Sequence, residues 1–277
     1  MIDLHLHTTA SDGRLTPTEL VGRVTAAGIR VLAVTDHDTT DGIDEAAAAA
    51  ARHGAELIPG IEITAVDRGR DVHMLGYFFD RQDPGFAQFL VTQRASRIAR
   101  IADMAARLDQ LGMPVDVRPL LEDAQRRNSK SIGRPRLALA MIDAGYVTTT
   151  REAFDRWLGQ GCPAFVERAG PSPQAVIDIV HRAHGLVSLA HPGRTRIDEH
   201  IPALRDAGLD ALEAYHSDHD EAASRLYAQL AVRLDLLVTG GSDFHGDPSH
   251  GVEPGVARLP EADWTTLLAA RGKHGGR

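Results

Sequence analysis

Seven short β-forming runs in this chain each carry, or are followed by, a histidine or a carboxylate, and helical runs separate most of them. The strand-like runs are read at 2–4, 31–35, 56–58, 72–79, 186–190, 211–214 and 236–239. Thr16, Pro17 and Glu19 announce a helix between the first two, with a capping threonine, a proline suited to the first helical position and a glutamate that completes a capping box. An alanine-rich helix at 42–53 follows the second run and is stopped by Gly54. This alternation favours an α/β fold with a parallel sheet or barrel. In a parallel βα barrel the C-terminal strand ends share one face, where active sites sit. The residues predicted there are His5, His7, Asp36, His37, Glu62, His73, His191, His216, Asp243 and His245. A lone histidine means little, but seven segments aimed at one face mean a site.

Between 85 and 167 the rhythm changes to helices alone, read at 86–111, 119–127, 136–144 and 151–158. The expected organisation is therefore a barrel domain built from 1–84 and 168–277, with a helical insertion domain at 85–167 covering the active site. Helices at 173–184, 198–207 and 221–234 resume the alternation, and the glycine-rich tail after Ala270 is expected to fray. A chain of 277 residues with 43% hydrophobic and 25% charged residues suits this size of core. Its net charge of −8 argues against the broad basic surface that long nucleic acids require. Basic residues nevertheless outnumber acidic ones between Arg94 and Arg136, an island able to guide a small anionic substrate. No stretch approaches the roughly 20 apolar residues of a membrane span, and Asp3 and His5 stand where a signal peptide would be apolar. These features predict a cytoplasmic protein with no membrane association and no obligate protein partner. The single cysteine, Cys162, reads as a packed bystander.

The residue types point to a metal centre. Residues two apart on an extended segment project to one side, so His5 and His7 can grip a single ion. Imidazole with carboxylate suits Mn²⁺, Zn²⁺ or Fe²⁺, and the lack of cysteine ligands argues against a structural zinc knuckle. A carboxylate such as Glu62 can bridge two ions, which at a spacing of about 3.5 to 4 Å activate water and steady an in-line phosphoryl displacement. Asp36 is expected to support ligating histidines by accepting from their other ring N–H.

The segments His5-Leu6-His7-Thr8-Thr9-Ala10-Ser11-Asp12-Gly13, Thr35-Asp36-His37-Asp38, Gly60-Ile61-Glu62, Ala190-His191-Pro192-Gly193 and Gly241-Ser242-Asp243-Phe244-His245 together resemble the PHP (polymerase and histidinol phosphatase) family. The resemblance covers nearly the whole chain. It implies a distorted (βα)7 barrel and two or three divalent ions: the first held by His5, His7, Glu62 and Asp243, the second by Glu62, His73 and His191, the third by Asp12, His37 and His245. The helical insert and the segment Gly133-Arg134-Pro135-Arg136 are similar to the stand-alone phosphoesterases of that family that act on nucleotides, including those for 3′,5′-nucleoside bisphosphates. Arg136 stands where members of that subgroup often carry histidine.

The resemblance thus implies a metal-dependent phosphoesterase in which metal-activated hydroxide attacks a phosphate ester of a nucleotide or similar small metabolite. Glu62, His216 and Arg134 are the expected catalytic residues. Arg134 is the first choice for clamping phosphate, with Arg136, Lys130 and Ser131 as further contacts, while His216 would bind phosphate or protonate the leaving oxygen. His219 is the weaker candidate beside it. Within the same chemistry, a histidinol-phosphate phosphatase, a cyclic phosphate phosphodiesterase or a 5′-3′ exoribonuclease acting on short single-stranded RNA remain alternatives. An amidohydrolase or a non-catalytic metal-binding module would be a different class.

Overall fold

The computed structural model of the chain describes residues 1–127, 131–248 and 251–274. Seven strands form one sheet in chain order: β1 (Ile2–Leu6), β2 (Val31–Val34), β3 (Glu56–Asp67), β4 (Arg70–Tyr77), β5 (Leu186–Leu189), β6 (Ala211–His216) and β7 (Leu237–Gly241). Its edges meet just past β7, where the Asp243 N–H donates to the His5 carbonyl at 2.9 Å and the His7 N–H to the Phe244 carbonyl at 3.0 Å. The sheet is thereby nearly closed into a barrel, as the distorted (βα)7 expectation requires.

The helices lie where local chemistry starts and stops them. Helix α1 (Pro17–Ala26) has Thr16 and Glu19 in a reciprocal capping box, and α2 (Ile43–His53) ends at Gly54 in the left-handed conformation with φ 64°. After β4 come α3 (Pro84–Gln110), α4 (Arg118–Arg127), α5 (Arg134–Asp143) and α6 (Thr150–Ala153), the last running on as a π-helical turn, Phe154–Leu158. The remaining helices are α7 (Pro173–Arg182), α8 (Pro192–Thr195), α9 (Ile201–Asp206), α10 (Glu221–Arg233) and α11 (Glu261–Ala269). None among the described residues is long and apolar enough to cross a membrane.

Two expectations need correction. The third strand does not end near 58 but continues through Glu62 to Asp67, so that Glu62 sits within a strand rather than after it. The fourth strand is not parallel: β4 pairs antiparallel with both β3 and β5, while the other neighbouring pairs are parallel. The cause is the tight turn between β3 and β4, where Arg68 (φ 48°) and Gly69 (φ 77°) both take positive φ. Two such residues fold a strand straight back, leaving no crossover helix. Helix α11, which the sequence pattern left unread, buries Trp264 and Leu267 before the tail.

Strand alternation sorts the side chains. Ile2, Leu4 and Leu6 of β1 enter the apolar core clusters, while Asp3, His5 and His7 on the other face are fully buried together. Ile61, Ile63, Met74, Leu75, Leu189 and Leu212 continue the main core. A second apolar cluster belongs to the helical stretch and contains Ile101, Met104, Leu108, Leu137, Met141 and Leu158. Helix α3 serves both, with Phe86 and Leu90 in the barrel core and its later turns in the second cluster.

Candidate metal centre and cleft

Glu62 organises the centre. Its Oε2 faces His5 Nε2 at 3.3 Å, His7 Nε2 at 3.2 Å and His37 Nδ1 at 3.2 Å. The other oxygen, Oε1, faces His73 Nδ1 at 2.7 Å and His191 Nε2 at 3.1 Å. Asp243 Oδ1 closes the first group, 3.3 Å from His5 Nε2 and 3.1 Å from His7 Nε2. Asp12 stands 3.3 Å from His245 Nε2, 3.6 Å from His37 Nε2 and 3.7 Å from His7 Nδ1. All nine residues expected to ligate metal therefore come together, in sets whose ligand atoms include His5–His7–Glu62–Asp243, His37–Glu62–His73 and His7–Asp12–His37–His245.

Local backbone makes room for this crowding. Asp38 (φ 52°), His191 (φ 28°) and Asp243 (φ 55°) occupy the positive-φ region that side chains rarely adopt, a strain that clusters at functional sites. Gly241 lies so close to the backbone and Cβ of His5 that a side chain there would collide with them.

The donor set fits a divalent cation. Buried His5 Nε2, both ring nitrogens of His7, His37 Nδ1, Glu62 Oε2, His191 Nδ1 and His216 Nε2 have no hydrogen-bond partner. Buried polar atoms without partners cost stability, and so many gathered around Glu62 and Asp243 leave a deficit that a cation's charge would satisfy. Electrostatics agree. Burial opposes charging His7, yet Asp243 and Glu62 outweigh it and push its pKa up to about 10. Burial alone dominates at His37, down to about 3, and at His191, down to about 4. Against their burial, the surrounding histidines hold Asp12, Glu62 and Asp243 well below the usual carboxylate range. The ionised carboxylates and neutral His37 and His191 are in the states that ligation needs, while His5 and His7, held protonated by the carboxylates around them, would give up a proton to a bound cation.

Glu213 was missed by sequence reasoning. Fully buried on β6, it accepts from His5 Nδ1 at 2.9 Å and from the His191 N–H at 2.7 Å, and so fixes two of the histidines. A glutamate inside the apolar run Ala211-Leu212-Glu213-Ala214 was the available signal. Asp36, expected to support the histidines, does something else: it accepts from the Thr8 N–H and from the Thr8 and Ser11 hydroxyls at 2.6–2.8 Å, fastening the loop that carries Asp12.

A cleft of about 1050 Å³ opens over the cluster, lined by Asp12, His37, Glu62, His73, Asp243 and His245 on one side and by Arg97, Arg100, Arg134, Arg168 and Arg194 elsewhere. Arg134 donates to Asp71 at 3.1 Å, with its guanidinium 5.5 Å from the Phe154 ring centre and 5.7 Å from that of Phe165. Burial, opposed by Asp71, lowers its pKa to about 10. Arg136 is placed differently from expectation. Its Nη2 reaches the carbonyls of Ser11 (3.4 Å) and Gly13 (3.3 Å), and it does not line the cleft. Ser131 is buried with its N–H on the Ala10 carbonyl, and Lys130 falls outside the described residues. His216 sits behind Asp243, 3.4 Å from its Oδ2, and accepts the Asp218 N–H on Nδ1. His219 Nδ1 donates to the Ala214 carbonyl and its Nε2 accepts the Gly193 N–H, a bracing role.

The chain is similar to known proteins in sequence and fold. Residues 3–111 match the model of the PHP domain. A 5′-3′ exoribonuclease of Haemophilus influenzae is 37% identical over 88% of this chain and 89% of its own length. A 3′,5′-nucleoside bisphosphate phosphatase of Chromobacterium violaceum is 34% identical over 92% of this chain and 90% of its own. Among solved structures, a Bifidobacterium adolescentis protein provisionally described as a metal-dependent phosphoesterase superposes with a TM-score of 0.87 at 35% identity, covering 98% of this chain and 96% of that one.

Proposed function

Because this chain belongs to the PHP family of metal-dependent phosphoesterases, we propose that it hydrolyses a phosphate ester of a nucleotide or similar small metabolite, of the 3′,5′-nucleoside bisphosphate type. The observation that carries this reading is one cleft lined both by unpartnered histidine and carboxylate atoms and by arginines. His5, His7, Glu62 and Asp243 would hold one ion, Glu62, His73 and His191 a second, and Asp12, His37 and His245 a third. Such ions, Mn²⁺, Zn²⁺ or Fe²⁺, supply Lewis acidity and activate water.

The chain's own contribution is positioning. Glu62 presents one oxygen to each side of the cluster, and Glu213 turns His5 so that Nε2 points inward. Arg134, held by Asp71 and near two phenylalanine rings, would offer its charge to the phosphate oxygens. His216, with Nδ1 used by the Asp218 N–H, carries its proton on Nε2 toward Asp243 and steadies that carboxylate; its place outside the cleft wall argues against contact with the leaving oxygen. Helices of 85–167 supply Arg97, Arg100 and Arg134 and so act as a cover that completes the cleft.

The test is phosphate release by the Mn²⁺-loaded protein from adenosine 3′,5′-bisphosphate, mononucleotides, histidinol phosphate, cyclic phosphates and short 5′-phosphorylated RNA. Fastest turnover of the bisphosphate is expected, and no release from any phosphate ester would overturn the reading. One observation favours a second reading, trimming of short RNA from its 5′ end. A smaller groove of about 280 Å³ shares Asp71, His73, Arg134, His191 and Arg194 with the cleft and reaches Gln160 and Phe165, where a neighbouring nucleotide would lie.

A further inference from the structure

Arg136, expected beside the substrate, is not part of the cleft wall. Its Nη2 instead donates to the Ser11 carbonyl at 3.4 Å and to the Gly13 carbonyl at 3.3 Å, the residues on either side of Asp12. One guanidinium thus clamps the backbone around a single candidate metal ligand. Helix stability does not explain an arginine here. Arg136 stands in the first turn of α5, which has no acidic residue, and a cation at that end works against the helix dipole. Its Nε is buried without a hydrogen-bond partner. What the position gains is the loop.

The same strap, 131–136, reaches the other ligands of the Asp12 group. The Ser131 N–H donates to the Ala10 carbonyl at 3.0 Å, two residues before Asp12. Arg97 donates from Nη1 to the Ile132 carbonyl at 3.4 Å and from Nε to Asp38, the neighbour of His37. At the far end of the loop, the Arg14 N–H donates to the His245 carbonyl at 2.8 Å. Little slack separates these ties. The Ser11 and Gly13 N–H groups both donate to the Thr8 carbonyl, at 3.1 and 2.9 Å, and a side chain at Gly13 would collide with the His7 carbonyl. The segments carrying Asp12, His37 and His245 are therefore all roped to the helical insertion, directly or through one residue.

The other two ligand groups are supported differently. His5, Glu62 and His73 stand on β1, β3 and β4, Glu213 of β6 fixes His5 and His191, and the backbones of His7 and Asp243 take part in closing the sheet. Their supports belong to the barrel.

We propose that Arg136 is a positioning residue that makes the third ion depend on the helical insertion, by holding Asp12 in place for it, while the first two ions depend on the barrel. Because α5 also brings Arg134 to the cleft, seating of the cover and completion of the centre become one event. The inference rests on the three-group reading of the centre and not on which ester is hydrolysed.

Mn²⁺ uptake by the metal-stripped full chain, measured by equilibrium dialysis and plasma spectrometry, tests it. Wild type takes up three ions. Arg136→Gln keeps two of them at wild-type affinity and weakens the third about 10- to 100-fold, the usual cost of losing a group that orients a ligand. Arg136→Lys, which keeps a charged donor but not the fork, recovers part of the loss. Asp12→Asn weakens the same ion, and adding Arg136→Gln to it costs nothing further, a non-additivity that a general loss of stability does not produce. Equal weakening of all three ions by Arg136→Gln, or of none, overturns the proposal. Wild-type crystals with anomalous Mn²⁺ peaks beside Glu62 and none beside Asp12 overturn it alone, and a protein that takes up no ion overturns the metal centre with it.

Discussion

Two clusters of histidine and carboxylate in this molecule look alike by proximity and differ in what they leave unsatisfied. Around Glu62, buried ring nitrogens and a carboxylate oxygen face one another without partners. Around Asp210, His181 and His274 also bring ligand atoms within reach of one carboxylate. There, however, His181 Nε2 pairs with Oδ2 at 2.7 Å, His274 Nε2 with Oδ1 at 2.9 Å, and the Val187 N–H also donates to Oδ2 at 3.0 Å. No atom of that trio is buried without a partner. The second cluster is a clasp that ties the chain end to α7 and β5; the first has the deficit that a cation fills. Proximity nominates a metal site, and unmet buried polarity selects it.

The contrast between the two clusters is sharpest at Glu62. Its replacement by Ala lowers kcat at least about a thousand-fold and strips bound metal, because one carboxylate serves both sides of the cluster; assay of turnover together with metal content by plasma spectrometry checks this. Glu213→Gln is milder. The amide can still accept from one histidine but loses the charge that orients both, so metal affinity weakens about 10- to 100-fold, read by chelator competition. Asp210→Ala affects only stability, by about 2 to 4 kcal/mol in chemical denaturation, since it leaves several buried donors unpaired. Metal content stays at the wild-type level.

Acid titration sharpens the same contrast. Burial works against the Asp210 charge, but His181, His274 and the Val187 N–H hold its pKa down at about 2. A carboxyl depressed in the folded state gives stability that is complete above its unfolded pKa near 4 and is lost as pH falls through about 2. That contribution is about 2 kcal/mol. Comparison of wild type with Asp210→Asn between pH 6 and pH 2 should show the difference shrinking over this window. The smallest effect belongs to His274→Ala, about 1 kcal/mol or less at neutral pH for a partly exposed hydrogen bond, again without loss of metal.

Much of the site was legible because ligand residues follow strand periodicity. His5 and His7 share a face by their spacing, and His37, His191, Asp243 and His245 lie beside strand ends that the apolar runs marked, whereas Asp12 was legible only through the family resemblance. The helix starts were equally plain, as Thr16 and Glu19 illustrate. Strand direction at β4 was hidden, since Arg68 has no preference for positive φ and Arg68-Gly69 is a weak hairpin signal beside Asn-Gly. Glu213 was hidden by company, a single charge in an apolar run. The target of Asp36 is a tertiary property: which loop packs over the carboxylate is not written in local spacing. Arg136 illustrates the converse, a residue well placed in sequence whose guanidinium goes to loop carbonyls instead.

Anomalous X-ray diffraction from crystals of the protein equilibrated with Mn²⁺ tests the central claim most directly. The account predicts strong peaks beside both oxygens of Glu62, within ligand distance of His5, His7 and Asp243 on one side and of His73 and His191 on the other, and none at Asp210. A peak between His181 and His274 with none at Glu62 would contradict it.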